Sequence, residues 1–309
     1  MMPQAIIMHL IIQLVVGWYG SMGVEVEHSP ADGHAIANVF DYIGDRFGRE
    51  DVQPPVAKFD PPKKLTFIVT DEIQESIKTA KVNLQKQIDD FDMRCYVFSP
   101  FGKDMIKSLK ISPDGFIQMA IQLAFYRLHG EPSAQYESAI LRRFLHGRTE
   151  TIRSCSEEAV YFCRTMLNSA ASYEDKAKAL RTAVAIHRAL VLEAVSGQGV
   201  DRHLMGLGMA TAELGLEMPK LFQDPGFTRS SYYRLSTSQM FMRYAAFFMF
   251  GPVVSDGYGI CYNLQPDRIP FGISAIKSSK TDAFKLAEAL EKSFLDMKEA
   301  LSRAQQSSM

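Results

Sequence analysis

The sequence predicts an α/β fold, because short apolar runs typical of strands alternate with longer segments of helical periodicity. Apolar residues make up 47% of the 309 residues and charged residues 22%, the balance of an ordinary globular protein. A chain of this length can form one large domain or two. Its net charge of −1 gives no electrostatic reason to expect nucleic acid or a membrane surface as a partner.

The first part of the chain predicts one strand and one helix. The apolar run Leu10–Val16 lacks the basic flank and the cleavage site of a signal peptide, and it is too short to span a bilayer. We therefore expect it to be a strand that enters a core. Residues 34–48 carry apolar side chains at helical spacing after Gly33. A proline-rich connector, Gln53–Lys64, is the best candidate for a domain boundary.

The rest of the chain alternates helices and strands. Ser112 and Pro113 are typical of a helix start, and the helix body that follows is apolar nearly all round. The predicted helices are Thr70 to about Phe91, Phe116–Leu128, Ala159–Leu167, Glu174–Val195, Arg202–Leu214 and Thr281–Arg303. The predicted strands are Leu65–Val69, Cys95–Phe98, Gly147–Ser154, Tyr232–Leu235, Tyr244–Phe250, Gly259–Asn263 and Ile269–Ile276.

The cysteines give no sign of a metal site or a disulfide framework. Cys95, Cys155, Cys163 and Cys261 lie far apart and form no C-x-x-C pair. We expect reduced, mostly buried thiols.

The segment from Glu27 to Gly33 contains the best candidate for catalysis. His28 and Asp32 lie four residues apart in a turn that follows the predicted strand and a loop. A histidine there can present one ring nitrogen to a substrate while a carboxylate or the backbone fixes the other. Taken alone, such a histidine is more often structural.

Two other segments carry weaker signals. Lys103 and Lys107, with Lys110 beyond them, aim ammonium groups at one region, which suits a phosphate but is also typical of a solvated basic face. The helix start at Ser112 adds free backbone N–H groups and a positive dipole end. The hydroxyls of Ser236–Ser238 could stabilise an oxyanion or simply end a strand.

Polar residues alternate along the predicted strand Gly147–Ser154. Alternation turns Arg148, Glu150 and Ile152 to one face and Thr149, Thr151 and Arg153 to the other. Such a stripe is either a solvent-facing surface or the wall of a polar cavity.

Taken together, these strings resemble the carnitine/choline acyltransferase family from about Leu14 to the C-terminal helix. The resemblance rests on Glu27-His28-x-x-x-Asp32-Gly33, Phe101-Gly102-Lys103-x-x-x-Lys107, Ser112-Pro113-Asp114, Gly147-Arg148-Thr149-Glu150-Thr151-Ile152-Arg153-Ser154, Asp201-Arg202-His203-Leu204, Ser236-Thr237-Ser238 and Gly251-Pro252-Val253-Val254-x-Asp256-Gly257-Tyr258-Gly259. It implies a mixed sheet with helices, similar to chloramphenicol acetyltransferase. Residues 1–62 would be the C-terminal remnant of one such domain, and residues 63–309 most of a second.

The resemblance implies roles for three catalytic residues. His28 would be the general base, which takes a proton from the hydroxyl of carnitine in one direction and from the thiol of coenzyme A in the other. Asp32 would support the histidine, and Ser238 would donate a hydrogen bond to the oxyanion of the tetrahedral intermediate. Transfer would be direct, without an acyl-enzyme.

The resemblance also implies the binding residues for coenzyme A. Lys103 and Lys107 would hold its 3′-phosphate, and Asp114 would lie near its adenine end. Coenzyme A would be a substrate, with no cofactor and no metal, and the full-length protein would be a monomer with no membrane association.

Carnitine would bind through Tyr136, Thr149 and Arg202, because a carboxylate suits a guanidinium together with hydroxyl donors. Choline has no carboxylate, so these residues favour carnitine. Phe250 would lie near the trimethylammonium group. Phe248 would close the acyl tunnel that a glycine opens in medium- and long-chain members, which predicts transfer of acetyl and other short groups.

Three alternatives stay open. The chain could be a non-catalytic fragment that binds coenzyme A or a partner, or it could be a medium-chain carnitine acyltransferase. A hydrolase with Ser238 as nucleophile ranks last, because the sequence has no Gly-x-Ser-x-Gly elbow. No targeting signal is visible, and the resemblance implies mitochondria or peroxisomes.

Overall fold

The computed structural model describes residues 12–46, 60–61, 63–244, 246–279 and 281–307, which form two compact units. The first unit comprises Met1–Pro54 with Met240–Tyr244, and the second comprises Pro55–Gln239 with Ala245–Met309. The domain boundary after residue 62 stays a prediction.

The first unit contains a hairpin and a helix. Strand β1 (Ile12–Val16) pairs antiparallel with β2 (Met22–Val26), and helix α1 (Gly33–Arg46) follows. The predicted strand and helix are therefore confirmed over their described residues. The expectation that the strand enters a core is wrong, because Leu14, Val15 and Val16 are exposed. The sequence did not predict β2, because Gly23 and Glu25 interrupt its short apolar pattern.

Residues 240–244 belong to the first unit because they pack against α1. The Arg243 N–H donates to Asp41 Oδ1 at 3.0 Å, and the Arg243 guanidinium lies 2.7 Å from Asp45. The Tyr244 hydroxyl donates to Asp45 Oδ1 at 2.9 Å. The predicted strand Tyr244–Phe250 is therefore wrong at its start, and residues 246–250 form no regular structure either.

Six strands and nine helices lie among the described residues of the second unit. Its strands are β3 (Phe91–Phe98), β4 (Gln135–Ile140), β5 (Thr149–Ile152), β6 (Leu235–Gln239), β7 (Tyr258–Tyr262) and β8 (Ile269–Ile276). Its helices are α2 (Asp71–Asp90), α3 (Lys103–Ser108), α4 (Pro113–His129), α5 (Glu157–Leu167), α6 (Tyr173–Val195), α7 (Asp201–Glu213), α8 (Lys220–Gln223), α9 (Pro225–Ser230) and α10 (Ala283–Ser307).

These six strands form one mixed sheet in the order β3-β8-β7-β6-β4-β5. Strands β4, β6 and β7 pair parallel, and the remaining pairs are antiparallel. The predicted α/β class with a mixed sheet is confirmed.

One face of the sheet carries the apolar core. Helices α4, α6 and α10 pack together over this face, where Phe271 and Phe294 lie 5.9 Å apart between ring centroids. Leu235, Ile260 and Ile273 point into the same core and are fully buried. Because side chains alternate along a strand, their neighbours in sequence point to the opposite face.

A network of buried polar side chains lies under β4 on the helix-covered face. The His187 ring is 2.7 Å from the carboxylate of Glu137, which also accepts a hydrogen bond from Ser154 Oγ. Both His187 and Glu137 are at most 5% exposed. The Tyr262 hydroxyl donates to Asp114 Oδ1 at 2.6 Å. Buried polar groups need such partners, so this network fixes the packing of α4 and α6 on β4.

The sequence did not predict β4, and the buried polar network explains why. Gln135 and Glu137 occupy buried positions that an apolar residue fills in an ordinary strand, so the alternating pattern is lost. Two predicted strands are also wrong. Leu65–Val69 is exposed and pairs with no other described strand, and the strand placed at Tyr232–Leu235 instead runs over Leu235–Gln239.

Helix α2 begins as predicted, since Thr70 Oγ1 accepts the Ile73 N–H at 3.3 Å. All four cysteines are free, but only Cys163 and Cys261 are buried, and Cys95 is exposed. Among the described residues, no helix is both long and apolar enough to cross a membrane.

The buried network predicts that stability falls as the pH rises. Burial and the charge of Glu137 raise the pKa of Asp114 from 3.8 to about 6, against the hydrogen bond from Tyr262. Folding therefore favours protonated Asp114, and the contribution of this group to stability declines between about pH 4 and 6. Burial opposes a charged His187, but its hydrogen bond to Glu137 and the charges of Glu137 and Asp114 outweigh burial and raise the pKa of His187. Its contribution is full below pH 6.5 and is lost as the pH rises through the raised value.

Between pH 6.5 and 8.5, the free energy of unfolding should fall less for His187→Gln than for the parent chain. Glutamine still donates a hydrogen bond to Glu137, but it has no ionisable proton to lose. His187→Ala leaves the buried carboxylate of Glu137 with the hydrogen bond from Ser154 Oγ but without the histidine ring, and it should cost about 3–5 kcal/mol. Urea titrations at several pH values measure both effects, with His203→Gln, an exposed site, as control. Parallel pH profiles for His187→Gln and the parent chain would contradict the assignment.

Candidate active site

The structure brings together the three residues predicted to bind carnitine. Tyr136 lies on β4, Thr149 on the neighbouring strand β5, and Arg202 in the first turn of α7. The guanidinium Nη2 of Arg202 lies 3.4 Å from the Tyr136 hydroxyl and 3.3 Å from Thr149 Oγ1. Its Nε also donates to the backbone oxygen of Thr149 at 3.0 Å. One cation and two hydroxyls therefore converge on one point, as recognition of a carboxylate requires.

Glu150 positions the start of α7 behind this cluster. Its buried carboxylate accepts the Arg202 N–H at 3.3 Å and the Thr151 N–H at 2.7 Å. Val200, at the N-cap, offers no side-chain hydrogen bond to the helix. Glu150, which lies on strand β5, therefore caps the start of α7 in place of the N-cap side chain.

A second contact fixes the same turn. The Arg153 guanidinium forms a bidentate pair with Asp201, at 2.6 Å and 3.0 Å, and the Tyr233 hydroxyl donates to Asp201 Oδ1 at 3.0 Å. The sequence singled out both strings that carry Arg153 and Asp201 but assigned neither residue a role. Their opposite charges in two separate strings were the signal that could have linked them.

Ser238 lies on β6, on the sheet face opposite the apolar core. Parallel pairing of β6 with β4 places Ser236 beside Tyr136, and Ser238 is the next residue on that same face. On its other side, Ser238 pairs with Cys261 of β7. Burial raises the pKa of the Cys261 thiol to about 12, which disfavours its thiolate at neutral pH.

Lys103 and Lys107 lie one turn apart on α3, as their spacing predicts. Lys107 is exposed and Lys103 half-buried. The Lys103 N–H donates to the Gln265 carbonyl at 2.9 Å, and the Asp104 N–H donates to the Pro266 carbonyl at 3.1 Å. These two backbone N–H groups are therefore already engaged within the protein.

Asp114 is directed into the protein, toward Tyr262. Its carboxylate, Glu137 and His187 each place one oxygen or nitrogen within 4.8 Å of the others. Hydrogen bonds to Tyr262 and between Glu137 and His187 account for their positions. The expectation of free backbone N–H groups at this helix start is wrong for Gly115, because Ser112 Oγ accepts its N–H at 3.4 Å. A role for Asp114 at the adenine end stays a prediction.

His28 and Asp32 lie in the first unit, in the loop between β2 and α1. Glu27 accepts hydrogen bonds from the backbone N–H of Ser29, at 3.0 Å, and from its hydroxyl. These bonds lower the pKa of Glu27 and hold a tight turn around His28, which is exposed. The Asp32 carbonyl accepts the Ala35 N–H at 3.1 Å. All other predicted site residues belong to the second unit.

Phe248 and Phe250 lie in the irregular segment that the sequence assigned to a strand. The Phe250 carbonyl accepts a hydrogen bond from Ser274 Oγ on β8, at 2.5 Å. The segment therefore crosses the face of β7 and β8 instead of adding a strand to the sheet edge.

Comparisons with known proteins show which family the chain resembles. The family model for choline/carnitine O-acyltransferases matches residues 11–292. Human carnitine O-acetyltransferase is 43% identical over 94% of this chain and 47% of its own length. Choline O-acetyltransferase from Sus scrofa is 37% identical over 95% of this chain, and peroxisomal carnitine O-octanoyltransferase from Bos taurus is 38% identical over 90%.

The chain spans about half the length of the curated relatives it matches, with 47% coverage of each of these three. Identities of 37–43% to acetyl-, octanoyl-, carnitine and choline enzymes do not separate the substrates. The family match nonetheless covers most of the chain, and the chain belongs to the choline/carnitine O-acyltransferase family.

Proposed function

We propose that this chain transfers an acetyl or other short acyl group reversibly between coenzyme A and carnitine. The observation that carries the proposal is the convergence of Arg202 with the hydroxyls of Tyr136 and Thr149. Carnitine has a carboxylate for this cluster to bind, whereas choline has none. Glu150 accepts the Arg202 N–H, and Asp201 pairs with Arg153. These contacts hold the helix turn that carries Arg202 and support the same assignment.

The proposed reaction is a direct transfer. His28 removes the proton from the carnitine hydroxyl, and the oxygen attacks the thioester carbonyl. The tetrahedral intermediate carries a negative oxygen, which accepts a hydrogen bond from Ser238 Oγ, a contribution of about 3 kcal/mol for one good donor. Collapse breaks the carbon–sulfur bond, and the departing coenzyme A sulfur takes the proton from His28.

Coenzyme A is a substrate in this proposal, and Lys103 and Lys107 hold its 3′-phosphate through their ammonium groups. No cofactor is required. The octanoyltransferase relative is peroxisomal by name. We propose that this chain works in peroxisomes or mitochondria.

A thiol-release assay tests the reaction. With acetyl-CoA, release should require carnitine, and His28→Ala should lower kcat by at least about 100-fold, because general base catalysis contributes this much. Coenzyme A binding should persist in His28→Ala. His146→Asn, at an exposed residue with φ of 59° that asparagine tolerates, is the matched control.

The same assay separates the alternatives. Release without carnitine would indicate a hydrolase that uses Ser238. Absence of release with intact coenzyme A binding would indicate a non-catalytic fragment, and either result would overturn the proposal.

Arg202→Ala should raise KM for carnitine by about 10- to 100-fold, because a hydrogen bond to a charged group contributes about 1.5–3 kcal/mol. KM for acetyl-CoA should stay unchanged. Steady-state kinetics with each substrate varied in turn measure the two values, and Arg229→Ala, at an exposed arginine, serves as control. An equal rise in both KM values would indicate general damage to the fold and contradict the assignment.

Phe248→Gly should raise the ratio of octanoyl to acetyl turnover by at least about tenfold, since pocket contacts with a few methylene groups discriminate at this level. Rates with coenzyme A esters of increasing chain length check the shift. If the parent chain used palmitoyl-CoA as well as acetyl-CoA, the short-chain preference would be wrong, and a medium- or long-chain enzyme would be the better assignment.

A further inference from the structure

Two glycines on neighbouring strands let a non-regular backbone segment lie directly on the sheet. A Cβ built on Gly272 of β8 would lie less than 3.0 Å from the Phe248 carbonyl oxygen and 2.8 Å from Met249 Cγ. A Cβ on Gly259 of β7 would lie less than 3.0 Å from the Phe250 carbonyl and 2.6 Å from Ser274 Oγ. Real Cβ atoms essentially never approach this closely, so a side chain at either position would force the segment to shift away from the sheet.

A hydroxyl group completes the support for this segment. Ser274 Oγ donates to the Phe250 carbonyl at 2.5 Å, which satisfies a backbone acceptor that lies outside the regular strands. Ser274 pairs with Gly259 across β7 and β8, so both lie in the same row of the sheet. We call Gly259, Gly272 and Ser274 the backbone cradle of residues 248–250.

The cradle lies in line with the predicted oxyanion donor. Strand pairing aligns Ser238 of β6 with Cys261 of β7, and Cys261 with Gly272 of β8. Adjacent strands lie about 4.8 Å apart, so the Cα of Gly272 is roughly 10 Å from that of Ser238 along this row. If the acyl carbonyl is held at Ser238, as proposed above, an acyl chain that runs along this row reaches the residues that Gly272 supports.

We infer that Gly272, with Gly259 and Ser274, is a determinant of acyl-chain length. The cradle sets how closely the backbone of Phe248 approaches the sheet, and this distance sets the room left for the acyl chain. The inference rests on the proposed acyl transfer and extends it from the Phe248 side chain to the residues beneath it. These are positioning residues, since they act through Phe248.

Gly272→Ala supplies the direct test. Its methyl group must displace the Phe248 carbonyl, because a backbone atom cannot rotate away as a side chain does. We expect the ratio of octanoyl to acetyl kcat/KM to rise by about tenfold, within the range that a few methylene contacts provide. Ser274→Ala adds no atoms and should shift the ratio in the same direction by a smaller factor.

Gly206→Ala in α7 is the matched control, since nothing lies within 4 Å of its added Cβ. Its ratio should stay that of the parent chain. A second readout needs no turnover: amide hydrogen exchange of peptides that cover residues 246–251, followed by mass spectrometry. Exchange should be faster in Gly272→Ala and Ser274→Ala than in the parent chain and the control.

The outcomes distinguish a failure of the specificity role from a failure of the proposed acyl transfer. If the parent chain transfers acetyl and Gly272→Ala leaves the octanoyl to acetyl ratio unchanged, the cradle does not set chain length. If exchange over residues 246–251 stays unchanged in both variants, the cradle does not hold the segment. Absence of acetyl transfer in the parent chain overturns the proposed function, and with it the specificity role.

Discussion

The pairing of β4 with β5 and β6 determines where the polar side chains of the second unit lie. Side chains alternate along each strand, so this one register sends Tyr136, Thr149 and Ser238 to one face of the sheet. The same register sends Glu137 and Thr237 to the face that the helices cover. A slip of β4 by one residue would move Tyr136 under the helices and would turn Glu137 away from His187.

The buried polar network stabilises the register of β4. Glu137 would carry a large desolvation penalty under α6 if the strand slipped away from His187 and Ser154. The same principle operates at α7, where the carboxylates of Glu150 and Asp201 are partnered by a backbone N–H and by Arg153. Arg202 therefore does not depend on its own flexible side chain for its position. Its helix is held by Glu150 and by the Arg153–Asp201 pair, and such preorganisation lowers the ordering cost of binding a ligand.

Much of this organisation can be predicted from the sequence, because helix caps and apolar periodicity are local signals. Ser112 and Thr70 mark helix starts that the structure has, and the alternation of Thr149 and Glu150 gave the correct faces of β5. The wrong predictions have tertiary causes. Strand β4 buries polar residues, which hides its periodicity. The run that ends at Phe250 is as apolar as a strand, but it crosses the sheet because glycines on other strands admit it.

The candidate site shows the same division. The segments that contain Thr149 and Arg202 can be recognised as sequence motifs. The roles of Glu150 and Asp201 become visible only in the tertiary contacts that fix the start of α7. The central claim is that Arg202, Tyr136 and Thr149 form a carboxylate site. Calorimetric titration of the chain with carnitine and with choline tests it most directly. We expect carnitine to bind at least about tenfold more tightly, since the carboxylate adds a charge-assisted contact. Equal affinity for the two ligands would contradict it.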